Sequence, residues 1–141
     1  MIMQNTKFEI GKAITLREGT DVTIHLQQVL RYLNPSAAAE KLAADGISAE
    51  VINMHTIKPL DEASVVAAAA KTGKIVTVEE HSVIGGLGSA VCDVVAEKAP
   101  AKVMKIGVND TFGESGPAVE LIKKYGLDAD SIYAKVKAFV K

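Results

Sequence analysis

The sequence predicts one α/β domain, a parallel-dominated β-sheet with helices on both faces. Three observations carry this reading. Short β-branched runs alternate with Ala-rich helical stretches, the signature of repeated βαβ units. The runs near 49–54, 74–79 and 102–108 are joined by helical segments of about ten residues or more, long enough for right-handed crossovers that place helices on either side of a sheet. The chain has 141 residues, 48% hydrophobic and 23% charged, which is one domain's length with enough apolar side chain for a core.

The elements follow in order. Lys12 to Arg17 and Asp21 to Ile24, separated by Glu18-Gly19, read as an edge strand, a turn and a second strand. Pro35 suits the first position of a helix, with Asn34 as its cap, and the helix runs from Ser36 to Asp45. Gly46 ends it in the left-handed position that glycine adopts without steric cost. Ala49 to Met54 is apolar enough for an interior strand covered on both faces. Asp61 is the expected N-cap of a helix from Glu62 to Thr72, and Gly73 stops that helix. Lys74 to Val78 is the most regular strand, ending near Glu79. A glycine-rich segment then opens a helix to about Lys98, which Pro100 breaks. Lys102 to Val108 is the last strand, Asn109 to Gly116 a loop, Pro117 to Tyr125 a helix, and Asp128 or Asp130 starts a final helix reaching Phe139. The whole chain, 1–141, reads as one domain, with residues 1–10 as flexible or linker-derived sequence.

Composition excludes several functions. Sixteen basic against seventeen acidic side chains leave a formal charge of -1, far from the positive field that nucleic acid demands. No run approaches the roughly 18 apolar residues of a membrane span, and Met1 to Lys12 lacks a signal-peptide core. The single cysteine, Cys92, cannot form an internal disulfide and sits in an apolar helical pattern, so it reads as a small core residue in a reducing, cytoplasmic protein.

In an open α/β sheet, chemistry gathers at the carboxyl ends of the strands. The densest candidate there is Glu79, Glu80, His81 and Ser82, followed by Gly85, Gly86 and Gly88. Glycines allow close backbone approach, and a helix N-terminus attracts an anion. As a dinucleotide fingerprint the match fails, because Val91 stands where a small residue is required and the motif follows a late strand. Two readings stay open: the glycines let the helix approach the sheet, or the segment forms an interface or anion site. His55 ends the strand before, and His25 follows the strand from Asp21 to Ile24. Their spacing shows no metal motif, so each histidine reads as structural or interfacial. Asp110 and Ser115 lie in the third strand-end loop. Gly113-Glu114-Ser115-Gly116 is one residue short of a nucleophile elbow and no histidine lies downstream, so Ser115 reads as a helix cap.

Four strings in order then carry a resemblance: Val51-Ile52-Asn53-Met54-His55-Thr56-Ile57-Lys58-Pro59-Leu60-Asp61, Glu79-Glu80-His81-Ser82 with Gly85-Gly86-Leu87-Gly88-Ser89-Ala90-Val91, Asn109-Asp110-Thr111-Phe112-Gly113-Glu114-Ser115-Gly116, and Tyr125-Gly126-Leu127-Asp128. Over roughly Gly11 to Val140 the chain resembles the C-terminal domain of transketolase, in the form encoded as two polypeptides. The wording at Glu79-Glu80-His81 and at Ile57-Lys58-Pro59-Leu60 favours transketolase over the related third domains of 2-oxo acid dehydrogenase β subunits and deoxyxylulose phosphate synthase. The resemblance implies a three-layer α/β/α sandwich with a mixed, mostly parallel five-stranded sheet and one antiparallel edge strand. It implies an enzyme that uses thiamine diphosphate and Mg held on two other domains, and transfers a two-carbon ketol unit between sugar phosphates. This chain is then expected to bind neither cofactor nor metal, to be inactive alone, and to pack against the thiamine-binding domains or subunit, or against a copy of itself. A free-standing protein- or anion-binding domain is the alternative from another class.

The resemblance lapses at His25-Leu26-Gln27-Gln28-Val29-Leu30-Arg31-Tyr32-Leu33-Asn34-Pro35 and resumes near Ala37. Codons TTG-CAA-CAG-GTA-TTA for Leu26 to Leu30, read two bases later, give Ala-Thr-Gly-Ile, in which the family's Ala-Thr-Gly turn reappears. This predicts a local, compensated frame slip. Sequencing the source gene is expected to show codons that permit the shifted reading, and codons that forbid it would refute the idea.

Overall fold

In the computed structural model, which describes residues 10–27, 35–55, 57–82, 85–108 and 126–141, the chain runs β1 (Ile14–Arg17), β2 (Val22–Leu26), α1 (Pro35–Ala44), β3 (Ala49–Asn53), α2 (Glu62–Lys71), β4 (Lys74–Ser82), α3 (Leu87–Lys98), β5 (Lys102–Val108) and α4 (Ala129–Val140). The strands form one sheet in the order β1-β3-β2-β4-β5. β1 pairs antiparallel with β3, whereas β3, β2, β4 and β5 pair in parallel. The mixed five-stranded sheet with one antiparallel edge is therefore present as expected.

Alternation along the strands sends successive side chains to opposite faces. On one face Val22, Ile24, Leu26, Val51, Val76, Val78 and Ile106 pack with Ala38, Ala39 and Leu42 of α1 and Ile132 and Val136 of α4. On the other, Ile52, Met54 and Ile75 pack with Val65 of α2 and Leu87, Val91 and Val94 of α3. Each fully enclosed Val, Leu or Ile contributes roughly 1.5–3 kcal/mol of transfer free energy, so the two apolar layers hold the sandwich together.

The helix ends follow their predicted chemistry. Asp61 Oδ1 accepts the Ser64 amide at 3.1 Å, capping α2, while its Oδ2 accepts the Ala13 amide at 2.8 Å and ties in the chain just before β1. Asp128 caps α4 through the Ser131 amide at 3.4 Å. Gly46 adopts φ +80 after α1, and the next amide, Ile47, closes onto Leu42 C=O at 2.9 Å. Across the α1–α4 contact, Tyr133 Oη donates to Asp45, and Lys137 Nζ lies 3.1 Å from the same carboxylate.

Several expectations need correction. β4 does not end near Glu79 but continues through Glu80 and His81 to Ser82, which pairs with Val108 beyond a register irregularity. The run of charge there suggested a loop, yet the Glu79 side chain turns inward. His25 lies within β2, not after it, and is fully enclosed. Cys92 is half-buried and lines a shallow apolar hollow of about 360 Å³ with Val95, Ala96, Pro100, Ala101 and Val103. The β-strand at 49–54, read as apolar, buries Glu50 as well. That carboxylate is satisfied by Lys71 Nζ at 2.8 Å and Thr23 Oγ1 at 3.2 Å. Asn34, the loop 109–116 and the helix from Pro117 lie outside the described residues.

Enclosure of His25 makes its charged form costly. Burial pushes the imidazole down to about 4, against a smaller opposing pull from the Asp61 carboxylate. Because the folded pKa lies below the usual 6.5, stability is full above that value and is lost as pH falls toward about 4. The total loss is about 3 kcal/mol, at roughly 1.4 kcal/mol per pH unit. Urea unfolding between about pH 7.5 and about pH 5 should show this slope, and His25→Leu should remove most of it. A parent stability that stays flat across that window would contradict the assignment.

Candidate functional site at the carboxyl edge of the sheet

The best-defined arrangement at the carboxyl edge is the turn from β4 into α3. Glu79 is only 1% exposed. Its Oε1 accepts the Leu87 amide and its Oε2 the Gly88 amide, both at 3.0 Å. A helix leaves its first amides without intrahelical partners, and they carry partial positive charge. One buried carboxylate here satisfies two of them across the strand–helix junction.

Two glycines make room for that contact. A β-carbon on Gly86 would collide with Glu79 Oε1, and one on Gly88 would stand 2.7 Å from Lys105 Cγ and 2.8 Å from Thr77 Oγ1. The first turn of α3 therefore lies directly on β4 and β5. Gly85, at φ +76, donates its amide to Ser89 Oγ at 3.0 Å, and Lys105 Nζ reaches the same oxygen at 3.3 Å. Of the two readings left open by the sequence, this geometry supports close packing of helix on sheet. The anion at the helix N-terminus is the chain's own Glu79 carboxylate, which leaves no field for an external phosphate at those amides.

The remaining candidates are dispersed. Glu80, His81 and Ser82 form the last three positions of β4. His55 lies just past β3 and is half-buried, with β2 between β3 and β4. Asp110 and Ser115 lie outside the described residues. Among the described residues, no group of three or more His, Cys, Asp or Glu side chains is placed to hold a metal ion. The pairing of Glu79 with α3 was missed from sequence because it joins residues eight and nine apart across a turn. A glutamate late in a buried strand, shortly before a glycine-rich helix start, is the signal that would have found it.

The sequence matches the family described as "Transketolase, C-terminal domain" over residues 11–132. A 6-deoxy-6-sulfo-D-fructose transketolase subunit of Clostridium sp. (strain MSTE9) is 49% identical, over 92% of this chain and 40% of that protein. A putative transketolase C-terminal section of Methanocaldococcus jannaschii is 44% identical, over 98% of this chain and 43% of its own length. A solved structure described as "Split gene transketolase, inactive beta4 tetramer" superposes with a TM-score of 0.87 at 46% identity, covering 99% of this chain and 45% of that one. The chain thus spans less than half the length of these relatives. A family match across most of the sequence, with a close superposition on a solved relative, means that this chain belongs to the transketolase C-terminal domain family.

Proposed function

We propose that this chain is the non-cofactor third domain of a two-polypeptide transketolase-type enzyme, serving assembly while the chemistry takes place on a partner. In the assembled enzyme a two-carbon ketol unit moves from a ketose phosphate to an aldose phosphate, with thiamine diphosphate and Mg held by the thiamine-binding domains. The observation that carries this reading is the Glu79 contact. The glycine-rich helix start that a diphosphate would need is already neutralised from within the chain. With no metal-holding cluster among the described residues either, those residues do not fit thiamine diphosphate and Mg.

Two further points support the assignment. The split-gene relative described as an inactive β4 tetramer fits a requirement for a partner and a capacity to self-associate. Among the described residues no helix is long and apolar enough to cross a membrane; a cytoplasmic location is part of the proposal and rests on the lone cysteine, which suits a reducing compartment. The edge at Glu80 and His81 is the face that we assign to the neighbouring domain, held by charge-assisted hydrogen bonds.

Ketol transfer should be absent for this chain alone and should appear on mixing with the thiamine-binding subunit. In that complex His81→Ala should lower the assembled fraction, while a size-selected assembled sample keeps most of its kcat. A loss of about a hundredfold or more with unchanged assembly would give His81 a catalytic role. Activity of the isolated chain would overturn the proposal altogether.

A further inference from the structure

The strand order places a topological switch between β2 and β4. From β2 the chain passes through α1, on one face, to β3. β4 lies on the other side of β2 and leads into α3 on the opposite face. At such a point the helices diverge and leave a crevice beyond the strand ends. His25 of β2 and Thr77 of β4 are register partners, so they sit side by side on the α2–α3 face, about one strand spacing apart. Both are 0% exposed.

Neither side chain finds a hydrogen-bond partner among the described residues. Both ring nitrogens of His25 and Thr77 Oγ1 are buried and unsatisfied, and so is Oε1 of Gln27, two residues beyond His25. Gln27 continues the parallel ladder, its amide donating to Val78 C=O at 3.2 Å. Buried polar atoms are almost always hydrogen-bonded, to protein or to ordered water. Four such atoms, on His25, Gln27 and Thr77, lie along two neighbouring strands without bonding one another.

The chemistry of these groups selects the ligand. A neutral imidazole offers one donor and one acceptor, a hydroxyl offers both, and an amide oxygen only accepts. The ligand must therefore donate and accept at once. An anion would lie beside Glu79, two residues past Thr77 on the same face and already committed to α3. An organic ligand has no opening at His25 or Thr77, since the first turn of α3 lies over Thr77 at Gly88. A single water can donate and accept at once, and internal waters typically make about three such bonds.

We propose that His25 and Thr77 hold an internal water molecule at the switch point between β2 and β4, with Gln27 Oε1 as its third partner. The water is a structural ligand of the sheet, fixing the His25 tautomer and joining β2 to β4 beyond their backbone ladder.

Thr77→Val separates this from a dry site by sign. If water is bound, valine strips it of a partner, and the unfolding constant of the intact chain in urea should rise roughly three- to tenfold. If the site is dry, valine relieves an unpaired hydroxyl, and an unchanged or lower unfolding constant overturns the proposal. Should that variant not fold, the parent decides. Solvent-to-protein NMR cross-relaxation at the His25 ring protons should reveal a long-lived water, and its absence would refute the site.

Discussion

The carboxylate of Glu79 is the point on which the carboxyl half of this domain turns. It is buried in the carboxyl half of β4 and bonded to the first two amides of α3. A charge in that position is costly unless every oxygen is engaged, and here the engagement is with the partial positive charge of a helix start. Strand, turn and helix are thereby fixed as one unit. Glycine at 86 follows from the position of Oε1, and glycine at 88 from the closeness of α3 to Thr77 and Lys105. The position of α3 in turn sets Leu87 and Val91 against Ile52 and Ile75 in the second apolar layer.

This arrangement also fills, from within the chain, a place where open α/β folds can hold a phosphate. Open α/β folds bind phosphates at glycine-rich helix starts because the amides there are unpaired. In this chain the same backbone geometry is kept, and the ligand is replaced by a side chain from the preceding strand. The opposite, amino-terminal edge is closed by a different device, the Lys71 link between buried Glu50 and exposed Glu18 at 2.8 and 3.0 Å. There the ammonium is held above its usual range by its hydrogen bonds to Glu50 first and Glu18 second.

Most of the fold was legible because its signals are local. Asp61 and Asp128 were readable as caps, Gly46 and Gly73 as stops, and the β-branched runs as strands. The end of β4 was misplaced because charged residues in sequence look like solvent, whereas Glu79 is buried by a partner that only the fold supplies. Glu50 hid in an apolar run for the same reason. Cys92 followed the helical pattern but falls on the rim of α3, at the hollow beside Pro100. Glu79 and the glycines of the candidate site were named together from sequence, but not the bond that joins Glu79 to the start of α3. His25 seemed to follow its strand, because the family pattern breaks at His25, one residue before β2 ends.

Backbone amide hydrogen exchange at Leu87 and Gly88 tests the central claim most directly, comparing the parent with Glu79→Ala under native conditions. The account predicts that both amides are protected in the parent to the level of the β4 core and become the fastest-exchanging part of α3 in the variant. The β1–β3 pairing, which Glu79 does not touch, should keep its protection. Equal protection of Leu87 and Gly88 in the two proteins would show that the helix start is held by something other than the Glu79 carboxylate, and the account would fail.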